Sequence, residues 1–246
     1  MTSEQAMLAA AAICLGGCSV LESFGLLSDR IESPYQARRV WAVGALRNES
    51  GSLEADGFVL ADHLVRQLEN VPNVDVLPLN RTIAAMEALQ FEAIASPKQA
   101  LALMKALGTD GLLVGTITAY DPYDPPQLGL TVELYTSQRA EASDALDTRM
   151  LVRSATGDVG PDETLKSSQP VTVVSGFYRE SDRDVRKQLQ RYAKYRGPIK
   201  DTDAWHRYRI SMDLYSEFVA HAMSHRIMAA EAARFARRRA QQSPAS

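Results

Sequence analysis

His221 and His225 stand four residues apart in a stretch of helical periodicity, so both imidazoles fall on one side of a helix, the spacing a helical zinc site uses. Metalloprotease chemistry needs a glutamate beside the first histidine. Ala222 occupies that place and no third ligand is evident, which removes both the general base and a coordination shell; the pair reads as two helix-surface histidines, with no metal. Ser175 precedes Gly176, but the Gly-x-Ser-x-Gly elbow is absent, so no sharp turn exposes a nucleophile. Gly108 to Gly115 lacks the Lys-Ser/Thr ending of a phosphate loop, leaving no cation or magnesium ligand for a nucleotide. Cys14 and Cys18 have no His or further Cys partners for a metal or redox site. No cofactor and no enzymatic activity are therefore expected. One residue still stands out. Cys18 closes Leu15-Gly16-Gly17-Cys18 behind the apolar run Ala6 to Leu15, a run short of the roughly 20 apolar residues that span a bilayer.

That run resembles the lipobox of bacterial lipoproteins. The resemblance implies that residues 1–17 are a signal peptide, that the Cys18 thiol receives a diacylglycerol, and that the new amino terminus is acylated as well, palmitate being the usual chain. Membrane lipid is then a partner through Cys18. Each buried methylene contributes about 0.8 kcal/mol, so two or more chains hold a protein firmly where one does not. Met1 to Gln5 carries Glu4 and no Lys or Arg, whereas export signals have a positive n-region; a start codon placed too far downstream would account for this. Ser19 after the cysteine resembles the outer-membrane sorting preference. The expected address is the cell envelope, lipid-anchored on the periplasmic face, with the outer membrane ahead of the inner.

Removing positions 1–17 from 246 residues leaves 229, enough for one large domain or a medium domain with an appendage. Hydrophobic residues make up 46% and charged residues 23%, which permits a proper core. A net charge of −3 provides no basic field to collect nucleic acid, so none is expected as a partner. With Cys18 acylated the mature chain keeps no thiol for a disulfide, and its stability must come from packing.

The elements follow from periodicity. Residues 18–38 show no sustained period and read as a tether. Val40 to Leu46 is continuously apolar, a strand covered on both faces. Arg47 to Gly51 is a turn cluster. Phe58, Ala61, Leu64, Val65 and Leu68 recur at helical spacing, with Glu54 and Asp56 near the start. Val74 to Pro78 is a short strand, after which Asn80 can cap a helix carrying Ile83, Met86 and Leu89. A further helix from Pro97 to Leu107 stops at Gly108. Gly111 to Tyr120 is a strand, and beyond the rigid loop 121–126, Leu128, Leu130, Val132 and Leu134 alternate with Gly129, Thr131, Glu133 and Tyr135, marking a half-exposed antiparallel neighbour.

Val43-Gly44-Ala45-Leu46-Arg47-Asn48-Glu49-Ser50-Gly51 followed by Ala55-Asp56, and Ala102 to Ile117 with its Gly108-Thr109-Asp110 turn and Gly115-Thr116 strand, resemble two motifs of one family. It is the small α/β periplasmic domain of curli-secretion CsgG-like lipoproteins, of peptidoglycan-synthase activator lipoproteins such as LpoB, and of the TolB amino-terminal domain. The resemblance covers residues 39–137. It implies an α/β (α+β) fold, a mixed sheet of about four or five strands flanked by helices, and an envelope protein that binds or assembles other proteins.

Residues 138–169 read as a polar, acidic linker or insertion, and 170–240 as an additional strand and carboxyl-terminal helices packing on the domain. Val171 to Val174 is the strand, Asp182 to Tyr195 one helix, and about Thr202 to Arg237 a long one with Trp205, Tyr208, Met212, Tyr215, Val219, Met223 and Ile227 on a stripe. Tyr178, Arg179, Tyr192, Tyr195 and Arg196 gather the residue types enriched in protein contacts, and form the candidate partner-binding surface; the bland alternative is that the tyrosines cover the core edge and the arginines stay solvated. Arg234, Arg237, Arg238 and Arg239 complement the helix dipole at a carboxyl end. The expected function is a non-catalytic platform for protein assembly or partner regulation near the cell wall, its partner an envelope protein or a second copy. The second reading is an oligomeric secretion or pore subunit of the curli-channel type, and the third a metal-dependent or other hydrolase.

Overall fold

The computed structural model describes residues 30–137, 169–196 and 204–242. The strands are β1 (Arg39–Val43), β2 (Arg47–Asn48), β3 (Val74–Val76), β4 (Gly111–Asp121), β5 (Gln127–Thr136) and β6 (Thr172–Arg179). The helices are α1 (Gly57–Leu68), α2 (Leu79–Ala88), α3 (Pro97–Leu107), α4 (Arg183–Arg196), α5 (Trp205–Ile210) and α6 (Met212–Gln242). The strands form one mixed sheet in the order β3-β1-β4-β5-β6, with β2 paired to β4 off that path. Pairs on the β3-β1-β4 side are parallel, and β4-β5 and β5-β6 are antiparallel. The parallel half needs helical crossovers and the antiparallel half only a short loop, which is why the helices of the first half interleave with its strands.

Alternation along the strands divides the interior in two. On one face Trp41, Val43, Leu113, Ile117, Leu130, Leu134 and Val174 pack beneath α1, α4, α5 and α6. On the other, Ala42, Leu112 and Tyr135 pack beneath α2 and α3 with Met86, Leu103 and Met104. The second layer is narrower than the sheet. It leaves the outer face of β6 in solvent, with Val173 54% and Phe177 48% exposed. Several interior glycines are explained by close packing: a Cβ on Gly111 would lie 2.7 Å from the Trp41 ring, and one on Gly115 2.7 Å from Leu46.

Helix ends carry their expected signals in part. Asp56 Oδ1 accepts from the Phe58 and Val59 amides to start α1, and Ser96 with Pro97 starts α3. Gly108 ends α3 at φ 67°, the left-handed position glycine tolerates. Helix α2 differs: it begins at Leu79 behind Pro78, and Asn80 lies inside it. In α1 the buried stripe is Leu60, Ala61, Leu64 and Leu68, while Phe58 stays half exposed in the first turn.

Four further expectations are corrected. Arg47 and Asn48 are not only a turn; they pair with Thr116 and Ile117 as β2. The long terminal helix is two, because Ser211 adopts an extended backbone and its Oγ accepts from the Leu214 amide to start α6, a local bond that competes with helix continuation. The strand placed at 171–174 runs on to Arg179. Finally, packing begins before residue 39, since Ile31 and Tyr35 are 3% and 5% exposed within the core. Cys18, and the proposed linker up to residue 168, lie outside the described residues.

Candidate functional site

The histidine pair comes first. His221 sits on the inner side of α6 and is only 2% exposed, not on the helix surface, because α6 is covered along that side by α1 and α4. The His225 ring meets it edge-on at 4.7 Å between centroids. Gln67 Oε1 of α1 lies 3.2 Å from His221 Nδ1 and accepts from Arg196 Nη2 of α4 at 3.1 Å. An amide oxygen only accepts, so Nδ1 carries the hydrogen and the neutral ring is an Nδ1-H tautomer. Burial, with His225 and Arg196 adding positive charge nearby, pushes the His221 pKa down to about 3. A ring held neutral in this way cannot act as an acid near neutral pH. Among the described residues no group of three or more His, Cys, Asp and Glu side chains converges as a metal site.

His221, Gln67 and Arg196, with Arg30, Ile31 and Asn70, line a cleft of about 390 Å³ where the amino-terminal segment meets α1, α4 and α6. The neutral state of His221 makes stability depend on pH. The folded pKa lies below the free value of 6.5, so the unfolded chain binds the extra proton first, and the contribution present above pH 6.5 is lost as pH falls toward 3. The expected loss is about 2 kcal/mol by pH 5. Chemical denaturation across that range, compared with His221→Leu, should show a shallower acid slope for the variant. Parallel slopes would mean that the ring titrates freely in the fold.

The five candidate partner-binding residues do not form one patch. Tyr178 lies on the inward parity of β6 and is 4% exposed, its ring edge-on to Phe218 at 6.0 Å; burial pushes its hydroxyl pKa up, against the pull of nearby Arg226. Tyr192 is 3% exposed, with Tyr208 at 5.5 Å, Phe218 at 5.7 Å and His221 at 4.9 Å. Both rings belong to the core. Arg196 is at the surface, its guanidinium 4.6 Å over the Tyr192 ring, and Tyr195 precedes it in α4. Arg179 ends β6, donating from Nε to Gln127 Oε1 at 3.1 Å and lying 5.2 Å over the Phe177 ring.

Ser175 faces outward on β6 with its hydroxyl 2.9 Å from Thr131 Oγ1, and Gly176 is a packing glycine whose Cβ would meet Tyr178 at 2.6 Å and Met223 Sδ at 2.8 Å. Ser175 stands on a regular strand, not on the sharp turn that presents a nucleophile. What reasoning from the sequence missed is the exposed strip Val173, Ser175, Phe177 and Arg179 on the last strand of the sheet. Its signal was period-two alternation continuing past Val174, with Thr172, Val174, Gly176 and Tyr178 buried between. Also missed was Glu231, 0% exposed in α6, which accepts from Tyr35 Oη at 2.7 Å, from Thr172 Oγ1, and from Arg234 through two bonds of 2.8 Å.

No family model matches the chain, and no curated protein matches it. Among solved structures the chain is similar to the LpoB C-terminal domain from Salmonella enterica, at 11% identity and a TM-score of 0.38, over 58% of this chain and 84% of that one. It is similar to lipoprotein GNA1162 from Neisseria meningitidis at 15% identity and TM-score 0.40, over 61% and 90%. A third is the PelC dodecamer from Paraburkholderia phytofirmans, at 13% identity and TM-score 0.34, over 63% and 84%.

Proposed function

We propose that this chain is an acylated bacterial envelope lipoprotein whose α/β body is a non-catalytic platform that docks a protein partner near the cell wall. The observation that carries the docking half is the open edge of the sheet. Strand β6 is the last in its order among the described residues, and its outer face shows Val173, Ser175, Phe177 and Arg179 to solvent. An edge strand of this kind offers unpaired amides and carbonyls to an added strand, with alternate side chains supplying selectivity. Arg179 stays in the proposed surface. Tyr178 and Tyr192 serve it from beneath by holding β6 and α4 on the core.

The anchoring half rests on Leu15-Gly16-Gly17-Cys18. No described helix is long and apolar enough to cross a membrane, so residence at a bilayer would depend on acyl chains at Cys18. Holding the body at one surface raises its effective concentration toward a tethered partner, and a weak edge contact then suffices. Two measurements check the reading. Mass spectrometry of native protein should find the chain beginning at Cys18 with diacylglycerol and fatty acid attached. A photo-cross-linker at position 177 should yield one discrete envelope-protein adduct that disappears in Val173→Asp, a variant that leaves the fold intact. A bare Cys18 refutes the anchor, and no adduct above background refutes the docking edge.

A further inference from the structure

The sheet protects its two edges unequally. Strand β3, at one end, is three residues long and places Asp75 in an ion pair with Arg38 at 2.9 Å, the short, charged form that resists further pairing. Strand β6, at the other end, is eight residues long, with no proline and no charge before Arg179. It runs against β5 without a register shift, so no bulge twists the edge away. The Glu180 amide donates to the Pro126 carbonyl at 3.1 Å. Antiparallel alternation then turns the even-numbered backbone groups of β6 toward β5, and those of Val173, Ser175 and Phe177 outward. The same three residues carry exposed side chains.

Laid antiparallel on another β6, this strand is self-complementary. A two-fold axis through Ser175, perpendicular to the sheet, keeps each face continuous and sets Val173 opposite the second copy's Phe177, twice over. Ser175 then faces itself. The charges match as well. Strands β5 and β6 carry two charged residues between them, Glu133 and Arg179. Glu133 is level with Val173 and Arg179 with Gln127, so about 20 Å of strand separates them within one chain. Glu133 accepts from Tyr135 Oη at 2.8 Å and Arg179 donates to Gln127; neither has an oppositely charged partner among the described residues. The two-fold axis exchanges the strand ends. From strand spacing and rise, each Arg179 comes within about 12 Å, backbone to backbone, of the second copy's Glu133, and the two Arg179 stay about 27 Å apart. Moving the axis to Gly176 would set Phe177 against Ser175 and Arg179 against Val173, which wastes both apolar contacts.

We infer that β6 pairs with β6 of a second copy of this chain, antiparallel and centred on Ser175, joining two sheets into one. This rests on the docking-edge reading above and names the partner. The joint is one strand wide, so it depends on copies being held close together.

The test places single cysteines in the full chain carrying Cys14→Ser and Cys18→Ser, oxidised at about 1 mM, the concentration a short tether supplies. Opposed Cβ atoms about 5 Å apart lie close enough for a disulfide to form with small adjustment. Ser175→Cys alone should give a covalent dimer, about tenfold more than Thr118→Cys, which is exposed but two strands from the edge. Val173→Cys and Phe177→Cys should each give little alone and a mixed dimer together. Val173→Asp should abolish the Ser175→Cys dimer and leave the circular dichroism spectrum unchanged. Ser175→Cys forming no more dimer than Thr118→Cys, or linking only to Phe177→Cys, overturns the inference. The photo-cross-linker at position 177 judges the edge separately: an adduct with a different protein overturns the second copy alone, and no adduct overturns the docking edge with it.

Discussion

Replacing Glu231 with alanine is expected to lower the unfolding free energy by about 3–5 kcal/mol, measured as a fall in the urea midpoint at unchanged slope. The carboxylate is fully buried and is the common acceptor for Tyr35, Thr172 and Arg234. Its removal takes from the Arg234 side chain, itself only 12% exposed, the carboxylate that it meets through two bonds. It also takes the acceptor from two hydroxyls held between α6, the start of β6 and the segment before β1. A buried charge stripped of its counter-ion is costly because the protein interior solvates it poorly. Native domains are stable by only about 5–15 kcal/mol, so this single change should bring the protein close to unfolding at moderate temperature. Glu231→Gln keeps the shape and part of the bonding and should cost less. A loss under about 1 kcal/mol for the alanine variant would mean that water takes the carboxylate's place.

Tyr192→Ala should cost a comparable amount, about 3–5 kcal/mol for deleting a large buried ring. The ring is the joint between three helices: α4 carries it, α5 meets it through Tyr208, and α6 through Phe218 and His221. Edge-on aromatic pairs add about 0.5–1.5 kcal/mol each beyond the area they bury, and the cavity left behind is bounded by helices with little room to collapse. Tyr192→Phe keeps the ring and should stay within about 1 kcal/mol of the parent. The comparison also separates two roles. A tyrosine that touched a partner would, on truncation, lose the partner and keep its stability; this one should lose stability first.

Most of the sheet was legible because its signals are local. The apolar-polar alternation of residues 128–135 marks β5, the short 121–126 connection makes it an antiparallel neighbour of β4, and Gly108 marks the end of α3. The illegible parts depend on contacts distant in sequence. Arg47 and Asn48 look like a turn by composition and become a strand only because Thr116 and Ile117 lie beside them. The stripe from Trp205 to Ile227 keeps helical period straight through Ser211 and so hides the break there. With the strand ending at Val174, Tyr178 reads as a surface residue; with the strand running to Arg179, parity puts Tyr178 inside with Thr172 and Val174. Ile31 and Tyr35 carry no periodicity at all, and their burial depends on α6, almost 200 residues on.

The tie between Tyr35 and Glu231, 196 positions apart, has a mechanical consequence. Tension arriving along the amino-terminal segment does not peel β1 away residue by residue. At Tyr35 it divides: the phenol pulls on the middle of α6, and the carbonyl, which accepts from Asn73 Nδ2 at 2.8 Å, pulls on the turn before β3. The pull is shared between the last helix and the β3 edge of the sheet.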